Sequence, residues 1–588
     1  MKKLLKYFKP YIWQILILVV FTYFQVMANL RLPDYMAKII NDGIITADMT
    51  AIYNNGLLML LVTLAGAVCA IIVGFLAAKI ATGFAKDIRK KTFEKVESFS
   101  INEFNKFSTS SLITRSTNDI QQIQMVLIML LRLALMAPFM AVGALQKALE
   151  NAPSLSWIIA TAAATMFAVI VFLFIFGLPK FQILQKLVDK LNLVTRENLT
   201  GLRVVRAFNN EKKEEKKFEE ANKDLTKINL FVNRLMAMMQ PFMVLVLNLT
   251  VIAIVWFGAR LIESGDIQIG NMMAFMQYAT QVITSFLMIS IIFILVPRAA
   301  VSAKRVAEVI NTDSSIQSPK DIKRISANSK GRIEFKDVTF TYPGADLPVL
   351  TGINFTAEPG QTTAFIGSTG SGKSTMINLI PRFYDVSAGQ VLIDDIDVRD
   401  LELSELYKQI GYVPQKGVLF SGTIKSNIIY GNKKATDEDI KKAIQIAQAS
   451  EFINKLEKGL DNKIAQGGAN VSGGQKQRIS IARAIAVKPK VYIFDDSFSA
   501  LDYKTDSKLR QALSKETKDK TVLIVGQRIN TIMNADKIIV INEGKIVGQG
   551  THSELMHANE TYREIAYSQL SDQELSSIEA KTQNKGTK

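Results

Sequence analysis

Five stretches in the first 300 residues of this 588-residue chain contain no Asp, Glu, Lys or Arg: 10–30, 56–78, 157–179, 235–259 and 271–297. A sixth, 125–146, is interrupted only by Arg132. Each reaches the roughly 20 residues that a helix needs to cross ~30 Å of hydrocarbon. A helix buried in a soluble core rarely runs so long without charge. Six membrane-spanning helices are therefore predicted. The opening MKKLLKYFKP resembles a signal-peptide n-region, but the 21 uncharged residues that follow are too many for a signal h-region. No small-x-small cleavage pattern follows either, so the first span stands.

Composition shows the same segregation, because 48% of residues are hydrophobic although 21% are charged. The net charge of +17 invites nucleic-acid or anionic-lipid readings. Its distribution decides between them. Segment 79–123 carries eight Lys/Arg and 180–234 carries thirteen, whereas 31–55, 147–156 and 260–270 carry few. The positive-inside rule then makes the N-terminus, both basic segments and everything after Arg298 cytoplasmic. The excess charge is explained by a multi-pass protein of the cell membrane, in contact with lipid, and no nucleic-acid partner is expected. A single cysteine, Cys69, excludes an intrachain disulfide framework and a cysteine zinc site. Two histidines, His552 and His557, exclude His-rich metal chemistry.

Both basic segments also read as helical, 204–222 being dense in helix formers and in oppositely charged i,i+4 pairs. Helices that continue past the bilayer, turn and return would be rigid rods able to carry motion into it. Arg132 has two readings: a site or watered cavity, or a snorkelling or interhelically paired side chain. Gln277, Gln281, Thr284 and Met288 recur on one helical face, which suits a cavity or interhelical hydrogen bonds. Methionines crowd at Met236, Met238, Met239 and Met243, then at Met272, Met273 and Met276. They read either as a promiscuous apolar ligand surface or as ordinary lipid-facing and core positions.

The second half changes character. A helix over 303–311 leads into a polar linker, 312–331, and alternating strands follow at 332–335 and 337–342. The apolar strand 362–366 then runs into Gly367, Ser368, Thr369, Gly370, Ser371, Gly372, Lys373, Ser374 and Thr375, with a helix expected over 376–382. This is G-x-x-x-x-G-K-[ST] between a buried strand and a helix, the setting a P-loop requires. The glycines let backbone N–H groups wrap phosphates, Lys373 reaches the β/γ-phosphates, and the Ser374 hydroxyl ligates Mg²⁺. A second buried strand, 491–494, ends in Asp495-Asp496. A carboxylate at that edge is where Mg²⁺ is held, and the role falls to Asp495.

Between them lies Val471-Ser472-Gly473-Gly474-Gln475, opening a helix. With it the chain resembles the ATP-binding-cassette (ABC) transporters. VSGGQ is similar to their signature motif, whose Ser472, Gly473, Gly474 and Gln475 would meet the γ-phosphate of ATP held by an opposite subunit. By the same resemblance Gln415 in GYVPQ is the Q-loop residue and a further Mg²⁺ ligand. Tyr342 is the aromatic that stacks on adenine, and Asp502 in SALD the D-loop aspartate. Segments 101–119 and 197–208 look like coupling loops of exporter-type members. Six spans followed by one cassette is the half-transporter plan of that class.

The departures from the family pattern are informative. The family's catalytic glutamate follows the Walker B aspartate, and here that position is Asp496. One methylene fewer withdraws the carboxylate by roughly 1–1.5 Å, and a misplacement of about 1 Å can cost on the order of 100-fold in rate. The switch histidine is replaced by Gln527 in VGQR, which hydrogen-bonds but cannot become cationic. Stretch 464–470 (IAQGGAN) lacks the Glu and Arg usual there, which puts its docking with the coupling loops in doubt.

Family cassettes pair head-to-tail, and losing Glu and His together while keeping P-loop, Q-loop and signature fits a heterodimer better than a homodimer. One ATP site would use this chain's P-loop with Asp496 and Gln527 and hydrolyse poorly. The other would set the intact signature against a partner's P-loop. The expected fold is an α-helical six-span membrane domain, 1–311, joined by 312–331 to an α/β P-loop cassette, 332–570, with a polar tail, 571–588. The expected function is ATP-driven export of hydrophobic or amphipathic small molecules, drugs among them. A slow homodimeric exporter or lipid flippase is the alternative, and a non-transporting sensor or channel the second alternative.

Overall fold

The structure is a computed structural model and describes residues 4, 6–319, 321–326 and 328–569. The tail expected at 571–588 lies outside the described residues. Among the described residues, six helices are long and apolar enough to cross a membrane. They are Ile12–Lys38, Met49–Glu97, a third built from Asn118–Met129 and Leu135–Asn151, then Ser156–Thr200, Glu211–Glu263 and Ile269–Asn311. They are called spans 1 to 6. At 1.5 Å per residue the 53-residue span 5 is ~80 Å long, far beyond the ~30 Å of hydrocarbon. The rods expected from the basic segments are present. The helix expected over 303–311 is the last part of span 6.

Residues 204–222 are helical on both sides of a corner: a short helix, Leu202–Ala207, ends, and span 5 begins at Glu211. Asn209 makes the corner at φ +52°, a left-handed conformation that Asn adopts more readily than most residues. Helix propensity was high on both sides, but a reversal of the chain needs one residue outside the helical well.

Polar contacts at two levels pin the membrane half. Tyr278 on span 6 is buried, and its hydroxyl donates to Leu30 O at 3.0 Å and to Asp34 Oδ1 at 2.6 Å. Lys147 reaches the same Asp34 at 3.2 Å. At the opposite end Asp119 accepts from Ser302 at 3.0 Å and pairs with Arg305 at 3.2 Å, while Arg115 pairs with Glu308 at 2.7 Å. Tyr278, Asp119 and Ser302 are buried, and leaving them without partners would be costly, so their contacts also fix helix register. Arg132 lies in a single π-helical turn, Leu130–Ala134, and is exposed. On span 6 Phe275, Tyr278, Ala279 and Val282 are buried, whereas Gln277 and Thr284 are exposed.

The chain forms two compact units. The first comprises Met1–Glu97 and Ser108–Thr312, the second Ser98–Phe107 and Asp313–Lys588. In the second, strands β1 (Ile333–Phe340), β2 (Leu350–Ala357), β3 (Thr362–Gly367), β4 (Ala388–Ile393) and β5 (Ile396–Asp397) come first. They are followed by β6 (Ile410–Val413), β7 (Gly422–Thr423), β8 (Lys463–Ile464) and β9 (Val491–Asp495). Last come β10 (Thr521–Val525), β11 (Lys537–Asn542) and β12 (Lys545–Gly550). An antiparallel sheet in the order β2-β1-β4-β5 faces a six-stranded sheet in the order β12-β11-β3-β10-β9-β6. The two strands expected at 332–342 are one strand, β1, with a break in register between Phe335 and Val338, where Asp337 has φ +47°. Strands β9 and β10 are buried at every residue, as parallel strands covered on both faces must be.

Candidate functional site

Strand β3 pairs in parallel with both β10 and β11, so the loop after it opens at the carboxyl edge of the sheet. That loop is the glycine-rich segment. A Cβ on Gly367 would stand 1.9 Å from the Ile541 carbonyl oxygen. Gly372 has φ +99°, and a Cβ there would meet Leu350 Cδ2 at 2.7 Å. Only glycine fits either position. The turn folds over Lys373, whose ammonium donates to Gly367 O at 2.8 Å, Ser368 O at 2.7 Å and Ser371 Oγ at 3.3 Å. Burial lowers the Lys373 pKa, and the nearby Asp496 and Asp495 oppose that shift. The helix starts at Lys373 and ends at Leu379, three residues earlier at both ends than the expected 376–382. The chain turns at Arg382, which has φ +56° and bonds Asp385 at 2.7 Å.

Strand β9 lies between β10 and β6 and delivers Asp495 beside this loop. Ser374 Oγ donates to Asp495 Oδ1 at 2.9 Å. Burial pushes the Asp495 carboxyl above its ordinary range; the Asp496 charge adds to the shift, and the Ser374 hydrogen bond works against it. Asp496 leaves the strand at φ +43°, with its N–H donating to Val525 O at 3.1 Å. Its Oδ2 accepts from Gln527 Nε2 at 2.9 Å and from Gln415 Nε2 at 3.3 Å. Three residues assigned from distant motifs thus meet at one carboxylate oxygen. Burial raises the Asp496 pKa as well, against the Gln415 hydrogen bond and the cationic Arg528. Sequence reading had missed Arg528; its only signal was a basic residue directly after Gln527.

The Tyr342 hydroxyl lies 2.9 Å from Thr375 Oγ1, and its ring meets Tyr384 edge-on at 5.3 Å. The signature residues occupy a different place. Ser472 caps the helix Gly473–Ala486, its Oγ accepting from Gln475 N while Gln475 Oε1 accepts from Ser472 N at 2.9 Å. Asp502 caps the helix Tyr503–Glu516, accepting from Thr505 N at 2.9 Å. Ser472, Gly473 and Asp502 are exposed. Among the described residues, no hydrogen bond joins the Ser472–Gln475 group to Lys373, Ser374 or Asp495. One link the sequence did not suggest is Gln477, on the signature helix, donating to Pro414 O at 3.0 Å beside Gln415.

Stretch 464–470 closes on itself. Asn470 Nδ2 donates to Lys463 O at 2.8 Å, and its Oδ1 accepts from Ala465 N at 2.9 Å, around left-handed Gly467 and Gly468. Of the two loop segments, helix Ile101–Phe107 belongs to the same compact unit as the cassette. Ser100 bonds Ser314 and Ser315 at 3.1 and 3.0 Å. Helix Leu202–Ala207 has no buried residue, and Val204 and Phe208 are 60% and 72% exposed.

A phosphate-cradling loop, an acidic strand end beside it and six bilayer-length helices in one chain define an ATP-dependent membrane transport protein. Comparison with known proteins places it more narrowly. Residues 15–286 match the family model of the ABC transporter transmembrane region, and residues 350–499 match that of the ABC transporter cassette. An uncharacterized ABC transporter ATP-binding protein of Mycobacterium tuberculosis is 40% identical over 567 residues, covering 96% of this chain and 97% of its own. The uncharacterized ABC transporter ATP-binding protein YfiB of Bacillus subtilis is 37% identical, covering 97% and 99%. A putative multidrug export ATP-binding/permease protein of Staphylococcus aureus is 38% identical over 63% of this chain and 64% of its own. The fold matches a bacterial Atm1-family ABC exporter with a TM-score of 0.80 at 20% identity, covering 96% of this chain and 99% of that one.

The chain belongs to the ABC transporter family and is an exporter-type half-transporter. Its cassette binds ATP and is an ATPase coupled to transport, and the protein is a multi-pass membrane protein. ABC exporters work as dimers.

Proposed function

We propose that this chain is one subunit of a heterodimeric exporter of hydrophobic or amphipathic compounds, drugs among them, and contributes the weak ATP site of the pair. The observation that carries this reading is the Asp496–Gln527 hydrogen bond at 2.9 Å. It occupies the position where the family places a longer carboxylate and a chargeable imidazole. Glutamine offers an amide donor of fixed charge, so the pair orients poorly an attacking water that a glutamate would polarise. The exposed Ser472 and Gly473, with the half-buried Gly474, remain available to a partner's P-loop. The partner is then a second half-transporter with Glu after its Walker B aspartate and a switch histidine.

Ser374 and Asp495 supply two oxygens held 2.9 Å apart. This set suits Mg²⁺, which prefers oxygen donors and keeps water and phosphate oxygens in place of an all-protein cage. Gln415, in this reading, adds a third oxygen once its amide leaves Asp496. Bound there, the ion would neutralise charge on the phosphates. Lys373, Tyr342 and the loop glycines hold the nucleotide, and Asp502 lies on the surface that meets the partner. The basic segments 79–123 and 180–234 support a cytoplasmic cassette in the cell membrane. The proposed domain limits are 1–311, 312–331 and 332–570.

Copurification of the native complex, followed by ATPase assays with candidate substrates, tests the reading. A homogeneous chain that hydrolyses ATP at the rate of the complex would refute it.

A further inference from the structure

We propose that the groove along the first half of span 5's apolar stretch binds an anionic phospholipid of the leaflet that Arg234 borders. The open groove has a volume of about 690 Å³ and is lined by Arg234, Ala237, Met238, Pro241, Phe242 and Leu245. Arg234 is the last charged residue before the apolar stretch 235–259, and the groove runs along the helix from there. From Arg234 to Leu245 is eleven residues, or ~16 Å of helix. That is about half of a ~30 Å hydrocarbon core, the depth of one leaflet. The groove therefore places a cation at headgroup level and an apolar floor as long as one acyl chain.

A second cation stands at the same level. Lys180 follows the apolar stretch 157–179 on span 4, and its ammonium lies 5.6 Å from the centre of the Phe231 ring, one turn before Arg234. Arg234 has no hydrogen bond or ion pair among the described residues. The next carboxylates along these helices are Asp189 and Asp224, nine and ten residues away, or ~13–15 Å. Asp224 is already paired with Lys190 at 3.2 Å. Two cations with no carboxylate partner among the described residues, above an apolar channel parallel to the helix axis, complement a phosphate head with its chain. Met238 is 70% and Leu245 52% exposed, so this floor is bare apolar surface on the chain.

The test is lipid retention, which depends neither on the exported substrate nor on which side the cassette faces. The full chain, alone and with its partner, is reconstituted in nanodiscs of equimolar phosphatidylglycerol and phosphatidylcholine. Retained lipids are then counted by native mass spectrometry. One phosphatidylglycerol per chain is expected, favoured over phosphatidylcholine by about fivefold for each cation. Arg234→Gln with Lys180→Gln should bring the two lipids to parity, while Arg234→Lys keeps the preference. Met238→Trp should fill the groove and lose the bound lipid of either kind. Equal retention of the two lipids by the unmodified chain overturns the proposal. So does a phosphatidylglycerol count that survives Met238→Trp, should the double variant fail to fold.

Discussion

Gln527 and Gln415 both donate to the same oxygen of Asp496, at 2.9 and 3.3 Å. The carboxylate sits where the chain leaves β9 in a left-handed turn, so its direction is set by backbone as well as by side-chain partners. Its neighbours are amides of fixed charge, and the nearby positive charges belong to Arg528 and Lys373. Asp496, Gln415 and Gln527 therefore act as one hydrogen-bonded group.

Purified alone, the chain should bind ATP·Mg²⁺ and turn it over about 100-fold or more slowly than the assembled complex. Asp496→Glu should change the rate of the assembled pair little, and Asp496→Glu with Gln527→His should raise it, because the residues work as a unit. A phosphate-release assay checks this; a large gain from Asp496→Glu alone would show that carboxylate reach was the whole defect.

In the complex, Ser472→Arg should abolish nearly all hydrolysis by placing a bulky cation where a partner's γ-phosphate docks. Lys373→Ala should cost far less, since it disables the site that already hydrolyses poorly. Equal losses in the same ATPase assay would mean equivalent sites.

Gly372→Ala should weaken nucleotide binding by this chain. Holding alanine at φ +99° against Leu350 costs about 1–3 kcal/mol, or about 5–150-fold in affinity. Gly473→Ala, where a Cβ would meet open space, should leave ATP binding to the isolated chain unchanged. Titration with a fluorescent ATP analogue distinguishes them.

Acid should destabilise the cassette through His552. Its Nδ1 lies 2.6 Å from Tyr562 Oη, and burial holds its pKa below the ordinary 6.5. The unfolded chain takes up a proton near 6.5 while the folded one resists, so stability falls as pH drops from there toward the folded value. Melting temperature measured from pH 7.5 to 5.5 should fall more for the unmodified chain than for His552→Gln.

The spans were legible because bilayer thickness imposes length and apolarity on consecutive residues. The P-loop was legible for a similar reason: its glycines are forced by close approach at Gly367 and by φ at Gly372, and both constraints are local. What escaped was set by contacts distant in sequence. That Gln415, Asp496 and Gln527 share one oxygen depends on the parallel order β10-β9-β6, which no single motif encodes. The break at Asn209 escaped because flanking helix formers mask a one-residue reversal. Gln477's bond to Pro414 has no local signature at all.

The cassette unit is discontinuous along the polypeptide, since Ser98–Phe107 belongs to it although two thirds of the membrane half intervenes before Asp313. A soluble fragment started at residue 313 would lack that segment of the compact unit. It would leave Ser314 and Ser315 without Ser100. Supplying 98–107 as a separate peptide should then behave as fragment complementation, because the missing strip is part of the domain's own surface.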